Sequence, residues 1–454
     1  MEQTGDKEAQ AQEDSQLIGR LVLPSESAEQ WAVVEQVLRQ PLKSLTDLDT
    51  MLTKFSASDR EPRVSTFFKT VPGSADAGAF DFALFFEKGA PLMIQVALEM
   101  PTLFEGVQVP IFKMRSSWTT PATFGKQSFS LSRRQCACLL AHSFFGSLKR
   151  PSNVLPNDWR FTVVDLFVGT AMSPSSGVTF LNYFTMLGKH GVPDESLTFE
   201  RQGYKKGPAP WQWEGNDKPL CPVSLVTGNI EDSMADLHVE FANAFVGGGV
   251  MTGDAAMEET LFLVKPELMV AMALENRMVD EEVVCVSGAH KYSLTTGSGH
   301  SLAFVGDYDN KRSGPPPKVV AIDAVRGGGP SMTEAAMLRD MNKARIAFEG
   351  ATEVATGHWG CGAYGNNHDL MFLKQWLAAS EAGARKLHYY DFDRKQSHHI
   401  FPLSRKMGHL TVGQAWKFLQ EITSDLRQPH NMTGFCQRIA DISVGKLKVP
   451  PKAN

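Results

Sequence analysis

The sequence predicts an α/β protein in which helices flank a sheet, preceded by a mostly helical region. From residue 219 onward, short apolar runs typical of strands alternate with segments of helical periodicity, and such alternation predicts a sheet covered by helices on both faces. Before residue 219, helical patterns are separated by long irregular stretches. The 454 residues are enough for two or three domains of ordinary size.

The composition is that of an ordinary globular protein, with 43% hydrophobic residues and a net charge of −5. The slight acidic excess argues against broad nonspecific binding to nucleic acid. The six cysteines are scattered and form no CxxC pair, which indicates a reduced compartment and argues against a disulfide framework or a zinc site. The most apolar window, residues 89–104, is interrupted by Glu99 and Pro101, so no membrane span is expected.

The first half of the chain begins with an acidic segment, residues 1–20, that has no apolar core and predicts a disordered tail. Two segments, 28–40 and 131–148, place apolar residues at helical spacing. The intervening stretch 99–127 is rich in turn residues and is expected to be loop with short strands.

A stretch rich in Gly, Pro and charged residues, 201–219, has no hydrophobic period and predicts a domain boundary. We therefore expect a mostly helical accessory domain over residues 21–218. The catalytic or binding domain would occupy residues 219–454.

The second half supplies the strands and helices of the expected sheet. Strands are predicted at 237–245, 282–287, 301–306, 319–323 and 386–392. Helices are predicted at 260–274, 331–348 and 368–383. Ser331 with Glu334 three residues later has the spacing of a capping box for the second helix.

The first candidate ligand loop follows the strand at 237–245. Gly247, Gly248 and Gly249 allow positive φ and let backbone N–H groups approach a phosphate or sugar. Seven residues separate Gly249 from Met257, which is followed directly by the acidic pair Glu258 and Glu259. Two adjacent carboxylates can serve one ligand near a helix end, so the combination predicts a site.

The second candidate loop spans residues 355–367 and precedes a predicted helix. Its glycines leave backbone amides free, and the helix N-terminus adds partial positive charge, which together suit a diphosphate. Tyr364 offers a ring for stacking. A third glycine cluster, 326–330, has no carboxylate pair nearby and is interpreted as a plain loop.

Motifs for other chemistries are absent from the sequence. It contains no GxSxG elbow, HExxH helix, GxxxxGK[ST] loop or kinase motif set. The adjacent His398 and His399 would point to opposite faces of a strand, which argues against a shared metal ion.

These residues resemble a known family. The glycine triplet and acidic pair resemble the GGG-x(6–8)-QEE signature of the poly(ADP-ribose) glycohydrolases, and the segments VEFANAFVGGG and ATGHWGCGAYG look like the two ligand loops of that family. The resemblance also takes in LSRRQCACLLAHSFF and VVAIDA, so it covers most of residues 130–420. It implies a macrodomain-like mixed sheet flanked by helices, preceded by a mostly helical accessory domain.

The resemblance also assigns roles. It implies that Glu259 is the catalytic acid and base, that Glu258 holds the ribose beside it, and that Asn243 positions the catalytic loop and ribose. The remaining substrate-binding residues that it implies are Glu240, Gly247, Gly248, Gly249, Met257, Gly360, Cys361, Gly362, Ala363, Tyr364 and Phe392. No metal and no cofactor is expected.

Three residues depart from the family pattern. Met257 stands where the signature has glutamine, Ser298 stands where an aromatic residue would cover the adenine, and Glu240 replaces an expected aspartate. Because both glutamates are intact, altered ligand contacts are expected rather than lost chemistry.

The chemistry of such a site is general acid–base catalysis. Cleavage of a ribose–ribose O-glycosidic bond needs a proton for the leaving hydroxyl and stabilisation of an oxocarbenium-like transition state. A protonated Glu259 can donate that proton and then activate water. Glu258, when ionised, would raise the pKa of Glu259, whereas a helix N-terminus would lower it, and the sequence leaves this balance open.

Two alternative hypotheses remain at this point. A macrodomain that binds ADP-ribose without cleaving it is conceivable because of Met257, although such a reader would not need the acidic pair. The other alternative is an α/β enzyme acting on another nucleotide-sugar.

For the glycohydrolase, the expected partners are poly(ADP-ribose) and poly(ADP-ribosyl)ated proteins, with no DNA, no membrane and a monomeric state. The expected location is the nucleus, with a cytoplasmic fraction, in the DNA damage response.

Overall fold

A computed structural model describes most of the chain. The described residues are 17–55, 64–70, 80–112, 125–152, 154–156, 158–167, 174–204, 209–252, 256–309, 314–391, 398–424 and 431–451. The predicted tail lies outside them except for its last four residues, Leu17–Arg20, which form a strand and so correct the expected end of the tail. Within the described ranges, no helix combines the length and apolarity needed to cross a bilayer.

The α-helices lie in three groups: before the main sheet, between its strands and after its last strand. They are α1 (Ala28–Leu38), α2 (Leu45–Phe55), α3 (Val64–Thr70), α4 (Phe82–Leu84), α5 (Ala90–Leu98), α6 (Met100–Leu103), α7 (Arg133–Phe145), α8 (Pro174–His190), α9 (Met257–Val264), α10 (Ala271–Leu274), α11 (Glu334–Ala347), α12 (His368–Ala382), α13 (Ile400–Met407), α14 (Val412–Thr423) and α15 (Met432–Ser443). A π-helical turn, Phe85–Gly89, joins α4 to α5.

The described strands form one large sheet and two small ones. They are β1 (Leu17–Arg20), β2 (Pro110–Phe112), β3 (Gly125–Ser132), β4 (Ser196–Gly203), β5 (Val223–Val226), β6 (Leu237–Phe241), β7 (Glu282–Ser287), β8 (Ser293–Thr296), β9 (Ala303–Asp307), β10 (Lys318–Ile322), β11 (Glu353–Gly357) and β12 (Lys386–Tyr390). The main sheet has eight strands in the order β3-β4-β7-β10-β6-β11-β12-β5. The strands from β10 to β5 pair in parallel, and β3, β4 and β7 extend the sheet in antiparallel fashion.

The sheet separates two apolar layers, as the alternation of side chains along a strand requires. On β10, Val319 and Ala321 pack into the layer that contains the N-terminal helices. Val320 and Ile322 pack into the layer formed with α11 to α15. The predicted mixed sheet flanked by helices is therefore confirmed.

The region preceding residue 218 is not purely helical, because β3 and β4 lie within it and belong to the main sheet. β4 pairs with β7 from Thr198 to Gly203, so the predicted boundary separates strands of a single sheet. β3 was not predicted from the sequence. It is an edge strand that alternates half-buried and exposed residues, and such a strand contains few apolar residues.

Two predicted helices have different ends in the structure. The segment 260–274 is broken by Pro266, which begins a 3₁₀ turn between α9 and α10, because proline cannot donate the next helical hydrogen bond. Ser331 is not the cap of α11, since it lies in a 3₁₀ turn and Thr333 caps the helix by accepting from Ala336 N. This 3₁₀ turn displaces the start of α11 by two residues.

Candidate active site

The three neighbouring parallel strands β10, β6 and β11 end at one edge of the sheet, and a glycine-containing loop follows each of them. Ligands of open α/β sheets bind at this edge. A cavity of about 600 Å³ lies there. Its walls come from the loops after β6 and β11, the start of α9, the turn after β8, and Ala324 after β10.

The acidic pair lies in the first turn of α9. This is the position, near a helix end, from which two adjacent carboxylates were predicted to serve one ligand. Glu258 and Glu259 are each only 6% exposed, yet both line the cavity. Glu258 Oε2 accepts a hydrogen bond from Asn243 N at 2.8 Å, and its Oε1 accepts from Gly247 N at 2.7 Å. Both oxygens of Glu258 are therefore fixed by the backbone of the preceding loop.

Glu259 is held differently. Its Oε1 accepts from Gly249 N at 2.9 Å, and its buried Oε2 has no hydrogen-bond partner among the described residues. One oxygen thus orients the side chain, and the other is buried without a hydrogen bond in the described structure. A buried carboxylate oxygen without a partner is costly, and this cost is typical of sites that complete their hydrogen bonds with a substrate.

The packing around the acidic pair requires glycine at the first two positions of the triplet. Gly248 has φ +51°, and a Cβ there would collide with Glu259 Oε1 and lie 2.7 Å from Glu258 Oε2. A Cβ on Gly247, at φ +88°, would lie 2.6 Å from Met272 Sδ. The first two glycines therefore permit the backbone to wrap closely around the carboxylates.

Glu240 is a third buried carboxyl group near the pair, and it lies on β6 rather than on the cavity wall. It is 4% exposed, and its Oε1 has no partner within the part of the chain that the structure describes. Burial, together with the negative charges of Glu259 and Glu231, raises the pKa of Glu240 to about 8.

Burial and the charge of Glu240 also raise the pKa of Glu258 well above its ordinary value, although the N–H groups of Asn243 and Gly247 oppose the shift. In both groups burial therefore disfavours the charged form. Carboxyl groups perturbed in this way are typical of functional sites.

The second loop forms the facing wall of the cavity, and its shape is set by Asn366. Asn366 Nδ2 donates to Val325 O at 2.7 Å and to Gly360 O at 3.2 Å. Gly360 has φ +69°, and a Cβ there would lie 2.6 Å from Ala324 Cβ and 2.9 Å from Asn366 Nδ2. A Cβ on Gly362 would meet nothing within 4 Å, and this residue is exposed on the cavity wall.

The third glycine cluster supports the second loop. Gly327 N donates to Tyr364 O at 2.7 Å, and a Cβ on Gly327 would collide with Gly365. The guanidinium of Arg326 lies 5.2 Å from the centre of the Tyr364 ring. Residues 326–330 are therefore more than the plain connecting loop that the sequence predicted.

The helical region reaches the acidic site through Arg160. Its Nη1 donates to Gly248 O at 3.2 Å, and its guanidinium lies 4.5 Å from the centre of the Phe245 ring. Met278 N also donates to Ala244 O at 2.7 Å. The loop after β6 is thus fixed from outside the cavity as well as by the carboxylates within it.

The structure brings most predicted site residues to this one cavity. Those on its wall are Asn243, Gly248, Gly249, Met257, Glu258, Glu259, Gly360, Gly362, Ala363 and Tyr364. Gly247 lies behind the wall and binds Glu258, and Glu240 and Cys361 are not on the wall. Phe392 lies outside the described residues.

Two of the departures from the family pattern also lie at the cavity. Met257 is 56% exposed and lines the cavity. Because it is a methionine, the cavity has no side-chain amide at the position where the family signature has glutamine. Ser298 lines the cavity beside Gly299 and presents a hydroxyl where the resemblance implies a ring.

Sequence reasoning missed several wall residues, namely Phe241, Ala242, Ala256, Gly299, Ala324, His358 and Trp359. Trp359 is 1% exposed and donates from Nε1 to Ile322 O at 3.0 Å, while His358 Nε2 lies 3.2 Å from Asp391 Oδ1. The sequence signal that could have identified His358 and Trp359 was their position between the end of a strand and a glycine-containing loop. Across the described ranges, no group of three His, Cys, Asp or Glu side chains is arranged to hold a metal ion.

Two family models match the chain. The model for the poly(ADP-ribose) glycohydrolase helical domain matches residues 81–201. The model for the macro domain fold of the same family matches residues 210–399. Together the two ranges include most of the chain and the whole of the cavity wall.

Curated relatives agree with these models. The chain is 26% identical over 423 residues to a probable poly(ADP-ribose) glycohydrolase 2 of Arabidopsis thaliana, covering 78% of this chain and 81% of the relative. It is 30% identical over 299 residues to poly(ADP-ribose) glycohydrolase 1 of Caenorhabditis elegans, covering 59% of this chain and 36% of that protein.

Among solved structures, a mutant poly(ADP-ribose) glycohydrolase of Deinococcus radiodurans in complex with ADP-ribose matches with a TM-score of 0.30 and 14% identity. The match covers 42% of this chain and 86% of that chain.

Proposed function

The chain belongs to the poly(ADP-ribose) glycohydrolase family and is a poly(ADP-ribose) glycohydrolase, and we propose that Glu259 is its general acid and base. The observation that carries this proposal is the asymmetry of the acidic pair. Glu259 lines the cavity with one oxygen held by Gly249 N and the other without a partner in the described structure. A carboxyl group held in this way can be aimed at a substrate oxygen without losing its orientation.

The reaction needs two proton transfers, the first from Glu259 and the second to it. In the first half, protonated Glu259 gives its proton to the departing ribose hydroxyl oxygen as the glycosidic C–O bond breaks and positive charge develops on the other ribose. In the second half, the Glu259 carboxylate removes a proton from water, and the water oxygen bonds to the same carbon. The products are free ADP-ribose and a polymer shortened by one unit, with Glu259 protonated again.

Glu258 has a different part in this proposal. Its two oxygens are held by Asn243 N and Gly247 N, so it is fixed in place rather than free to transfer a proton. Each oxygen keeps a second lone pair that can accept from a ribose hydroxyl. We infer that Glu258 orients the ribose, while the amides of the second loop face the diphosphate.

Release of ADP-ribose from purified poly(ADP-ribose) tests the role of Glu259. Glu259→Gln should lower kcat by about 10²–10⁴-fold, the usual contribution of a general acid or base, and leave ADP-ribose affinity within about threefold because size and shape are kept. Glu334→Gln is the matched control, since Glu334 is also in the first turn of a helix but is exposed and away from the cavity. Near-normal turnover by Glu259→Gln would contradict the assignment.

Met257 is proposed to weaken ligand contacts without affecting the chemical step. Met257→Gln restores the amide of the family signature at the edge of the cavity, and one new hydrogen bond should tighten ADP-ribose binding by about two- to tenfold. Calorimetry on both proteins measures this directly. An unchanged affinity with a raised kcat would show instead that residue 257 acts in the reaction itself.

We further propose that the protein acts as a monomer on poly(ADP-ribose) and poly(ADP-ribosyl)ated proteins, in the nucleus with a cytoplasmic fraction, during the DNA damage response. The support is the substrate, which implies that location, and the net charge of −5, which disfavours direct DNA binding. Fractionation of cells before and after DNA damage tests the location. Exclusion of the chain from nuclei in both conditions would overturn it.

A further inference from the structure

The wall of the active-site cavity, as far as the described residues form it, carries no lysine or arginine. The charged groups on that wall are Glu258, Glu259 and, when protonated, His358. Every ADP-ribose unit of the substrate, however, carries a negatively charged diphosphate. A permanently cationic side chain that attracts the substrate therefore has to lie outside this wall.

The cavity has room for one unit of the polymer. Its volume is about 600 Å³, within the roughly 300–1,000 Å³ of sites that enclose a single small ligand. With the terminal ADP-ribose unit in the cavity and its ribose at Glu259, the next unit begins at the leaving oxygen and extends outward. The diphosphate of that next unit is therefore expected at the rim, on the side of the acidic pair.

Arg326 lies at the rim on this side. It is exposed, and its Cζ lies over the ring of Tyr364, 5.2 Å from the ring centre. Tyr364 is on the cavity wall. Burial raises the pKa of Tyr364, and the negative charges of Asp323 and Glu258 add to the shift while Arg326 opposes it. The phenol is thus within electrostatic reach of both the acidic pair and Arg326.

The guanidinium of Arg326 forms no ion pair and no hydrogen bond with the described residues. Arg160, which also lies over an aromatic ring beside the cavity, differs in this respect. Its Nη1 donates to Gly248 O at 3.2 Å and its Nε is buried, so it serves the catalytic loop. Arg326 keeps its planar set of N–H donors for a ligand, and that geometry matches a phosphate.

The backbone that carries Arg326 is fixed from behind. Val325 N donates to Asp340 Oδ1 at 3.0 Å, and Val325 O accepts from Asn366 Nδ2 at 2.7 Å. Asp340 is fully buried and forms an ion pair of 2.9 Å with Lys374. The residue after Arg326 is held as well, through its hydrogen bond to Tyr364 O. Because the backbone is already ordered, a ligand has to immobilise only the side chain.

We propose that Arg326 is a specificity-determining residue that binds the diphosphate of the ADP-ribose unit next to the one in the cavity. This role rests on the proposed position of the scissile bond at Glu259. The terminal unit is bound by the cavity walls, and the following unit gains a charge-assisted contact from Arg326. The residue therefore favours the polymer over free ADP-ribose, which ends before this contact begins.

Steady-state release of ADP-ribose from purified poly(ADP-ribose), compared with calorimetry of ADP-ribose binding, tests the proposal. Arg326→Ala should raise KM for the polymer about three- to tenfold, as expected for one charge-assisted contact at an exposed position, with kcat and ADP-ribose affinity each within about twofold. Arg326→Lys keeps the charge but not the planar donors, so it should recover part of the loss. Arg405→Ala is the matched control, because Arg405 is also exposed and lies over the ring of Phe401, and neither residue lines the cavity.

Salt dependence separates a phosphate contact from a change in the shape of the wall. In the native chain the logarithm of kcat/KM for the polymer should fall with the logarithm of salt concentration. The slope should be shallower by about 0.7 in Arg326→Ala, which has lost one phosphate contact, and unchanged in Arg326→Lys and Arg405→Ala. Equal slopes for Arg326→Ala and the native chain would refute a phosphate contact.

The comparison of polymer with ADP-ribose decides which unit Arg326 binds. Equal losses of affinity for both would place Arg326 at the diphosphate of the unit in the cavity, and an unchanged KM for the polymer in Arg326→Ala would remove its role altogether. Either result overturns the proposal. Turnover retained by Glu259→Gln would instead contradict the catalytic assignment alone, since it leaves the difference between polymer and ADP-ribose unaffected.

Discussion

The two glycine loops that face each other across the active-site cavity share a composition but differ in what holds them. The loop after β6 is organised around the acidic pair, since the amides of Gly247 and Gly249 bind Glu258 and Glu259. The loop after β11 is organised by a neutral amide, because Asn366 binds the carbonyls of Val325 and Gly360. A glycine cluster after a strand therefore indicates a ligand loop without revealing whether it positions catalytic groups or shapes a wall.

The sharpest way to test this contrast is one added methyl group in each loop. Gly248→Ala places a Cβ against both carboxylates at a positive φ, so kcat should fall by at least about 100-fold as the acidic pair is displaced. Gly362→Ala meets nothing within 4 Å, so kcat should stay within about threefold while KM rises as the methyl enters the ligand space. Equal effects on kcat would remove the distinction between the loops.

The second loop should affect binding more than chemistry. Asn366→Ala removes two hydrogen bonds to carbonyls that shape the wall, which should cost about 1–3 kcal/mol of folding free energy and raise KM about tenfold with kcat within twofold. Asn366→Asp keeps the shape but loses the donor and should behave similarly. Steady-state kinetics and thermal unfolding measure both effects. A kcat loss as large as that of Gly248→Ala would mean that this wall also positions the acidic pair.

A smaller effect is expected where the helical region holds the first loop. Arg160→Ala removes the hydrogen bond to Gly248 O and the contact with the Phe245 ring, and kcat should fall about fivefold because the backbone around Glu259 loosens. Arg160→Lys keeps a donor and should recover part of the loss. If both variants matched the native chain, the carboxylates alone would suffice to fix the loop.

The smallest expected effect concerns Glu240 beneath the first loop, and it is an effect on stability. Its folded-state pKa of about 8 lies above its ordinary value of 4.5, so its contribution to stability is fully present below pH 4.5 and is lost as pH rises through 8. Glu240→Gln should therefore make the free energy of unfolding less dependent on pH in that range, by up to about 1.4 kcal/mol per pH unit. Denaturant unfolding at several pH values measures the slope. An unchanged slope would show that Glu240 does not titrate in this window.

Much of the fold and of the site could be predicted from the sequence, namely the parts whose pattern lies within a single strand, helix or loop. The strand before Gly247 and the helix after Asn367 have strong periodicity, and the glycine triplet with its acidic pair is a local motif. β3 could not be recognised, because its pairing partner is distant in sequence and three of its eight residues are exposed. Ala324 and Trp359 were missed for a related reason. Which residues line the cavity depends on which strands are neighbours in the sheet, and the sequence does not show the strand order.

The roles within the acidic pair could not be assigned from the residues alone, because both are glutamates. Their difference depends on which backbone N–H groups each oxygen meets, and this is a property of the folded loop. The effect of burial on Glu240 was likewise hidden, because the sequence shows a polar residue in an alternating strand and gives no indication of its missing partner.

The pairing of β4 with β7 has a consequence for synthesis of the chain. β4 ends at Gly203, and the strand that it pairs with is complete only at Ser287. During synthesis, β3 and β4 therefore leave the ribosome well before β7, which joins them to the sheet. The edge of β4 stays unpaired until β7 emerges. Exposed strand edges recruit other chains, so nascent chains are open to aggregation at β4 during this interval, and a chaperone that covers this edge would protect them.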